Sequence, residues 1–151
     1  GMSGLVRVSE AVNLGLHSAL LLAQTPDRLV RTQELSERIG ASKAHLTKVL
    51  QALSKAHIVD LCRGPQGGAR LARAASSITL LEVYESIDGP IRLEDCLLEQ
   101  PICDGTCCLM GGLLARVNRD LRQRLADTTL AEACGGSAAL GTGTGTDNTA
   151  A

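Results

Sequence analysis

Four cysteines crowd one short stretch of this sequence: Cys96, Cys103, Cys107 and Cys108, spaced C-x6-C-x3-C-C. Thiols gathered this closely can ligate a metal, switch by oxidation, or sit reduced and idle. Structural zinc favours C-x2-C pairs, which are absent, so zinc is the minority reading. Three or four thiolates within 13 residues suit an iron–sulfur cluster better, although the spacing is not that of a ferredoxin. A switch built from bare thiols wants cationic surroundings to lower the thiol pKa. This stretch instead carries Glu94, Asp95, Glu99 and Asp104 against Arg92 alone. A bound metal deprotonates its thiols directly, so the charge pattern leans towards a cluster. Cys62 and Cys134 lie apart and read as incidental.

The second chemistry is electrostatic. Residues 1–75 hold ten Lys/Arg against five acids, a balance of +5, whereas residues 76–151 hold five Arg against eleven acids, a balance of −6. The near-neutral total of −1 conceals this division. A chain split this way suggests that its first half meets a polyanion. No nucleophile–base pair, carboxylate dyad or nucleotide-binding loop stands out, so the sequence does not read as an enzyme.

Both chemistries need elements to position them. Of the 151 residues 44% are hydrophobic, yet Tyr84 is the one aromatic, which argues against a sandwich or barrel and for helices built from Leu and Ala. Val8, Val12, Leu16, Ala19, Leu20 and Ala23 form one helical stripe ending before Thr25-Pro26. Thr32 is placed to cap a short helix from Gln33 to Arg38, closed by Gly40, and Ser42 to cap a third from Lys43 to about Lys55. Two short helices joined by Gly40-Ala41-Ser42 have the proportions of a helix-turn-helix. Two strands then flank Gly64-Pro65-Gln66-Gly67-Gly68 and make a hairpin, read as a wing. Thr79 and Glu82 form a capping box for a helix to Asp88, stopped by Gly89-Pro90. The stripe Leu113, Leu114, Val117, Leu121, Leu125 marks a long amphipathic helix with Arg116, Arg119, Arg122 and Arg124 outside.

The wing run from Cys62 to Arg73 (CRGPQGGARLAR), with Asp95-Cys96-Leu97, Cys108-Leu109 and Thr128-Thr129-Leu130-Ala131-Glu132 in order, resembles the IscR/NsrR-type winged-helix regulators, the Rrf-two family. The likeness covers roughly residues 5 to 133. It implies a mostly α fold with a small β-hairpin wing: a winged helix-turn-helix plus a long C-terminal dimerisation helix. It also implies a homodimeric, cytoplasmic, DNA-binding transcription regulator, a repressor, whose partner is a double-stranded operator. Residues 2–75 would form the DNA-binding region, 76–133 the cysteine-containing sensor loop and dimer helix, and 134–151 a flexible tail. Gly1 before Met2 is expected to be a tag remnant. Neither a secretory signal pattern nor an apolar run near the roughly 20 residues of a membrane span is expected to place the chain elsewhere.

The resemblance carries a ligand set. Aligning Cys108-Leu109 with the family's last cysteine makes Cys96, Cys103 and Cys108 the metal ligands of a 2Fe-2S or 4Fe-4S cluster, which purified protein need not retain. A shift of one residue would promote Cys107 instead. Candidates for the fourth ligand are Cys107, Glu10 and His17, in that order. The expected DNA contacts are Ser42, Lys43, His45, Thr47 and Lys48 at the start of the recognition helix, with Arg63, Gly67 and Arg70 in the wing. Gln66 at the wing tip is uncharged, and Ala69 stands where family members often carry an aromatic. Two other readings stay open: a cluster-free regulator of the same fold sensing by thiol redox or a small ligand, and a metal- or cluster-handling protein without operator binding.

Overall fold

A computed structural model describes residues 8–92, 98, 100, 102, 104, 110 and 112–140, with side chains described as far as Gly135. The chain forms α1 (Glu10–Gln24), α2 (Thr32–Ile39), α3 (Lys43–Lys55), β1 (Val59–Cys62), β2 (Gly68–Leu71), a 3-10 turn (Ala75–Ser77), α4 (Leu80–Asp88), α5 (Leu113–Asp127) and α6 (Leu130–Leu140). Strands β1 and β2 pair antiparallel, Val59 facing Leu71 and Cys62 facing Gly68. The mostly helical winged-helix expectation is met.

Local signals account for most of these boundaries. Ser42 caps α3 by accepting the His45 N–H at 3.1 Å. Gly40 ends α2 in the left-handed region at φ 75°, where a side chain would be strained, and its N–H bonds the Ser36 carbonyl. Thr79 and Glu82 exchange both bonds of the capping box at the start of α4.

Three expectations change. Thr32 is the first residue of α2, not its cap, and Arg31 holds the cap position with extended backbone and no side-chain cap bond. The cause is tertiary. Val30 makes an antiparallel bridge with Ala69 of the wing, which keeps the chain extended up to Arg31. In α1 the fully buried residues are Val12, Leu14, Ala19 and Leu22, with Gly15 and Ser18, while Leu16, Leu20 and Ala23 are only partly buried. Because α1 is packed by α3, α4 and α6 together, its buried arc is wider than a single stripe and turned from it. Finally, the backbone is helical from Leu130 to Leu140, through the Gly135-Gly136 pair where the sequence suggests only a tail. Residues 141–151 lie outside the described residues.

One hydrophobic cluster joins all of this. Leu35, Leu46, Leu50, Leu53, Ile58 and Val59 from the helix-turn-helix and β1 share it with Ile78, Val83 and Leu130. The Leu130 N–H bonds the Ile78 carbonyl at 2.8 Å and the Leu80 N–H bonds the Thr128 carbonyl at 2.9 Å. The segment after α5 is thereby stitched to the start of α4.

Candidate nucleic-acid interface

The wing turn is built from its glycines and its proline. Gly67 N–H donates to the Gly64 carbonyl at 2.9 Å, closing a turn with Pro65 at the second position, where its fixed φ belongs. A Cβ on Gly68 would sit 2.6 Å from the Val30 carbonyl oxygen, so glycine alone lets the wing approach the lead-in to α2. Val30 and Ala69 then exchange two 2.8 Å backbone bonds. Arg31 completes the seating by donating from Nη2 to the Pro65 carbonyl at 3.0 Å.

Between this seated wing and helices α2 and α3 runs a cleft of about 630 Å³. Arg31, Gln33, Lys43, Thr47, Gln51 and Arg63 all line it. Three cationic side chains on one concave surface focus positive potential there. The α2 lead-in is braced from below by a bidentate pair in which Arg28 donates to both oxygens of Glu34, at 3.1 and 2.9 Å. That hydrogen bonding, with the charge of Arg28, holds the Glu34 carboxyl below its ordinary pKa.

Of the expected DNA contacts, Lys43, Thr47, Arg63 and Gly67 come together in this cleft. The others are placed elsewhere. The Ser42 hydroxyl is engaged in capping α3. His45 is half-buried and turned to α1, with Nδ1 3.9 Å from Glu10 Oε1. Lys48 lines a separate groove with Lys55 and Ser86. Arg70 is exposed and faces Asp60 across the hairpin. Thr47 donates its hydroxyl to the Lys43 carbonyl at 2.8 Å, which orients it along the helix.

Arg31, Gln33 and Gln51 were not among the expected contacts. Gln51 was legible, since it lies eight residues after Lys43 and four after Thr47, on the same helical face. Nothing local marks Arg31, whose role depends on a carbonyl 34 residues away.

The cysteines expected to bind metal, Cys96, Cys103 and Cys108, lie outside the described residues, as does Cys107. Among the described residues no group of three His, Cys, Asp or Glu is arranged to hold a metal ion. Glu10 is exposed beside His45, and the His17 ring Nδ1 lies 2.8 Å from the Asn13 carbonyl. The described cysteines, Cys62 and Cys134, are free, and Cys62 lines the cleft.

Comparison with known proteins gives a consistent result. A family profile described as Rrf2, iron-dependent transcriptional regulator, matches residues 8–135. Protein aau3 of Rhizobium meliloti (strain 1021) is 30% identical over 117 residues, 75% of each chain. The HTH-type transcriptional regulator named BadM, from Rhodopseudomonas palustris, is 37% identical over 78 residues, covering 52% of this chain and 50% of that one. In fold the chain is similar to CymR, the global cysteine regulator of B. subtilis, with a TM-score of 0.72 at 20% identity, over 87% of this chain and 98% of that one. It is similar also to T. potens IscR, with a TM-score of 0.71 at 22% identity, over 93% and 95% respectively.

Proposed function

This chain belongs to the Rrf2 family of transcriptional regulators, not to an enzyme family, and from that membership we propose a homodimeric repressor whose operator affinity is governed by an iron–sulfur cluster. The observation that carries the DNA-binding part is the cleft in which Arg31, Lys43 and Arg63 converge beside the exposed N-terminal face of α3. In a winged helix that face enters the major groove and the wing lies along the backbone or minor groove. Lys43 and Thr47 would meet base edges or phosphate, and Arg63 would meet phosphate. Ser42, His45, Lys48 and Arg70, which lie outside the cleft, remain candidate contacts. Binding should weaken with salt, log affinity falling against log salt by roughly 0.9 per phosphate neutralised.

Support for the dimer comes from α5. Its apolar residues Leu114, Val117, Leu121 and Leu125 are only half-buried within one chain and Leu113 is 47% exposed, which suits a second copy of the same helix. The donor chemistry supports the cluster: Cys96, Cys103 and Cys108 supply three soft thiol ligands in an acidic setting that disfavours bare thiolates. A cluster held there would supply a centre sensitive to redox change and nitrosylation. The stretch of sequence that carries these cysteines connects the end of α4 to the start of α5, so a change at the cluster would act on the dimer helix and on the spacing of the two α3 helices.

The test is anaerobic purification with iron and sulfide assay, followed by titration of DNA selected by the protein from random sequence, using cluster-loaded and apo forms. A loaded form with altered affinity is expected. Equal affinities sink the control mechanism. Iron-free protein that still binds DNA would point to thiol or small-ligand sensing, and a cluster-loaded protein with no salt-dependent DNA binding would point to cluster handling.

A further inference from the structure

We propose that Arg31 is a positioning residue for the wing, a latch that sets where Arg63 lies across the cleft from Lys43. The inference rests on the cleft being the DNA interface. Three contacts join the wing to the lead-in of α2, and they differ in kind. The close approach at Gly68 and the paired Val30–Ala69 bonds hold the base of the hairpin. The turn beyond them, from Arg63 to Gly67, is exposed or half-exposed and adds no residue to the buried core. A two-stranded hairpin of four-residue strands is marginal unless packed against something. At the turn, the bond that ties it to the helices is Arg31 Nη2 to the Pro65 carbonyl, 3.0 Å.

The chemistry suits that role. Pro65 has a fixed φ and the Gly67–Gly64 bond closes the turn around it, so its carbonyl moves with the turn as a unit. A guanidinium is planar and permanently charged, and its bond to a carbonyl is stronger than a neutral one. Arg31 itself stands on backbone immobilised by the Val30 bridge on one side and α2 on the other. The latch therefore joins a fixed post to a rigid turn, two residues from Arg63. Without it the turn swings about its base, and Arg63 loses a defined position relative to Lys43.

Arg31→Ala, Arg31→Lys, Arg63→Ala and the Arg31→Ala/Arg63→Ala double variant of the full chain are titrated with a duplex selected by the wild type from random-sequence DNA. Arg31→Ala should weaken binding about tenfold, the order of one lost charged hydrogen bond. Arg31→Lys, which still offers one donor, should recover part of it. In the Arg63→Ala background, removal of Arg31 should cost little, because its effect passes through Arg63. Amide exchange at Ala69, whose N–H joins the wing base to the Val30 carbonyl, should quicken in Arg31→Ala while the α3 amides keep their protection. Additive losses in the cycle would overturn the proposal and make Arg31 a direct phosphate contact. Unchanged affinity and unchanged exchange would overturn it also. A wild type that selects no DNA removes the functional reading itself, and the positioning role falls with it.

Discussion

Ser42 and Gly68 show how single residues shape the cleft through the backbone they fix. The Ser42 hydroxyl satisfies the His45 N–H, one of the unpaired donors at the start of α3. Ser42→Ala should cost about 1 kcal/mol, and Ser42→Gly only a few tenths, as read by thermal denaturation. If Ser42→Gly keeps stability but loses DNA affinity, the hydroxyl also serves the nucleic acid. Gly68 is constrained differently. Its added Cβ would meet both the Val30 carbonyl oxygen, at 2.6 Å, and the Val30 carbonyl carbon, at 2.9 Å. Neither is the yielding end of a side chain, so Gly68→Ala should destabilise by about 1–3 kcal/mol and unseat the wing. A melting temperature equal to wild type would contradict that.

At the scale of elements, Arg73 is the junction between the wing and α4. Its guanidinium donates to the Ser77 carbonyl at 2.7 Å, to Glu82 Oε1 at 3.0 Å and, from Nε, to the His57 carbonyl at 3.4 Å. Glu82 in turn accepts the Thr79 N–H at 2.8 Å. Partial burial alone would raise the Glu82 pKa and is the largest single influence, but the Thr79 and Arg73 hydrogen bonds together outweigh it and leave the carboxyl lowered. A carboxyl lowered by folding binds its proton more weakly in the native state than in the unfolded chain. Its contribution is therefore full above the ordinary carboxylate range and is lost as pH falls through the depressed native value. Glu82→Gln should lower stability near neutrality and flatten the acid limb of a stability–pH curve. An acid limb identical to wild type would show that Glu82 contributes nothing there.

For the whole molecule, the decisive feature is that a single core crosses the line between the basic and acidic halves. Leu130, which follows α5, is fully buried in the same cluster as Leu46 and Leu50 of α3. Leu130→Ala should cost about 2–5 kcal/mol and lower one cooperative transition, not a separate one. Two resolved transitions would indicate independent units. The dimer proposed here predicts that Leu121→Asp, placed on the half-buried stripe of α5, shifts sedimentation to the monomer and weakens operator binding. A variant that stays dimeric would relocate the interface.

Much of this was legible before any fold was known, because the signals are local. Helix caps at Ser42 and Thr79, the left-handed stop at Gly40 and the turn around Pro65 each depend on neighbours within about four residues. The stripe of α5 and the cysteine spacing are likewise written in order along the chain, and so was the likeness to the family. Other features were not legible, since each is settled by a residue distant in sequence. Arg31 displaces Thr32 from the cap because Val30 pairs with Ala69. Leu14 and Leu22 are buried because helices distant in sequence pack around α1. Basic composition marked the first half of the chain as the one that meets a polyanion, but periodicity does not tell which way a lysine faces in a packed fold. Lys43 and Lys48 are five residues apart on one helix, yet the wing places one inside the cleft and leaves the other in a different groove.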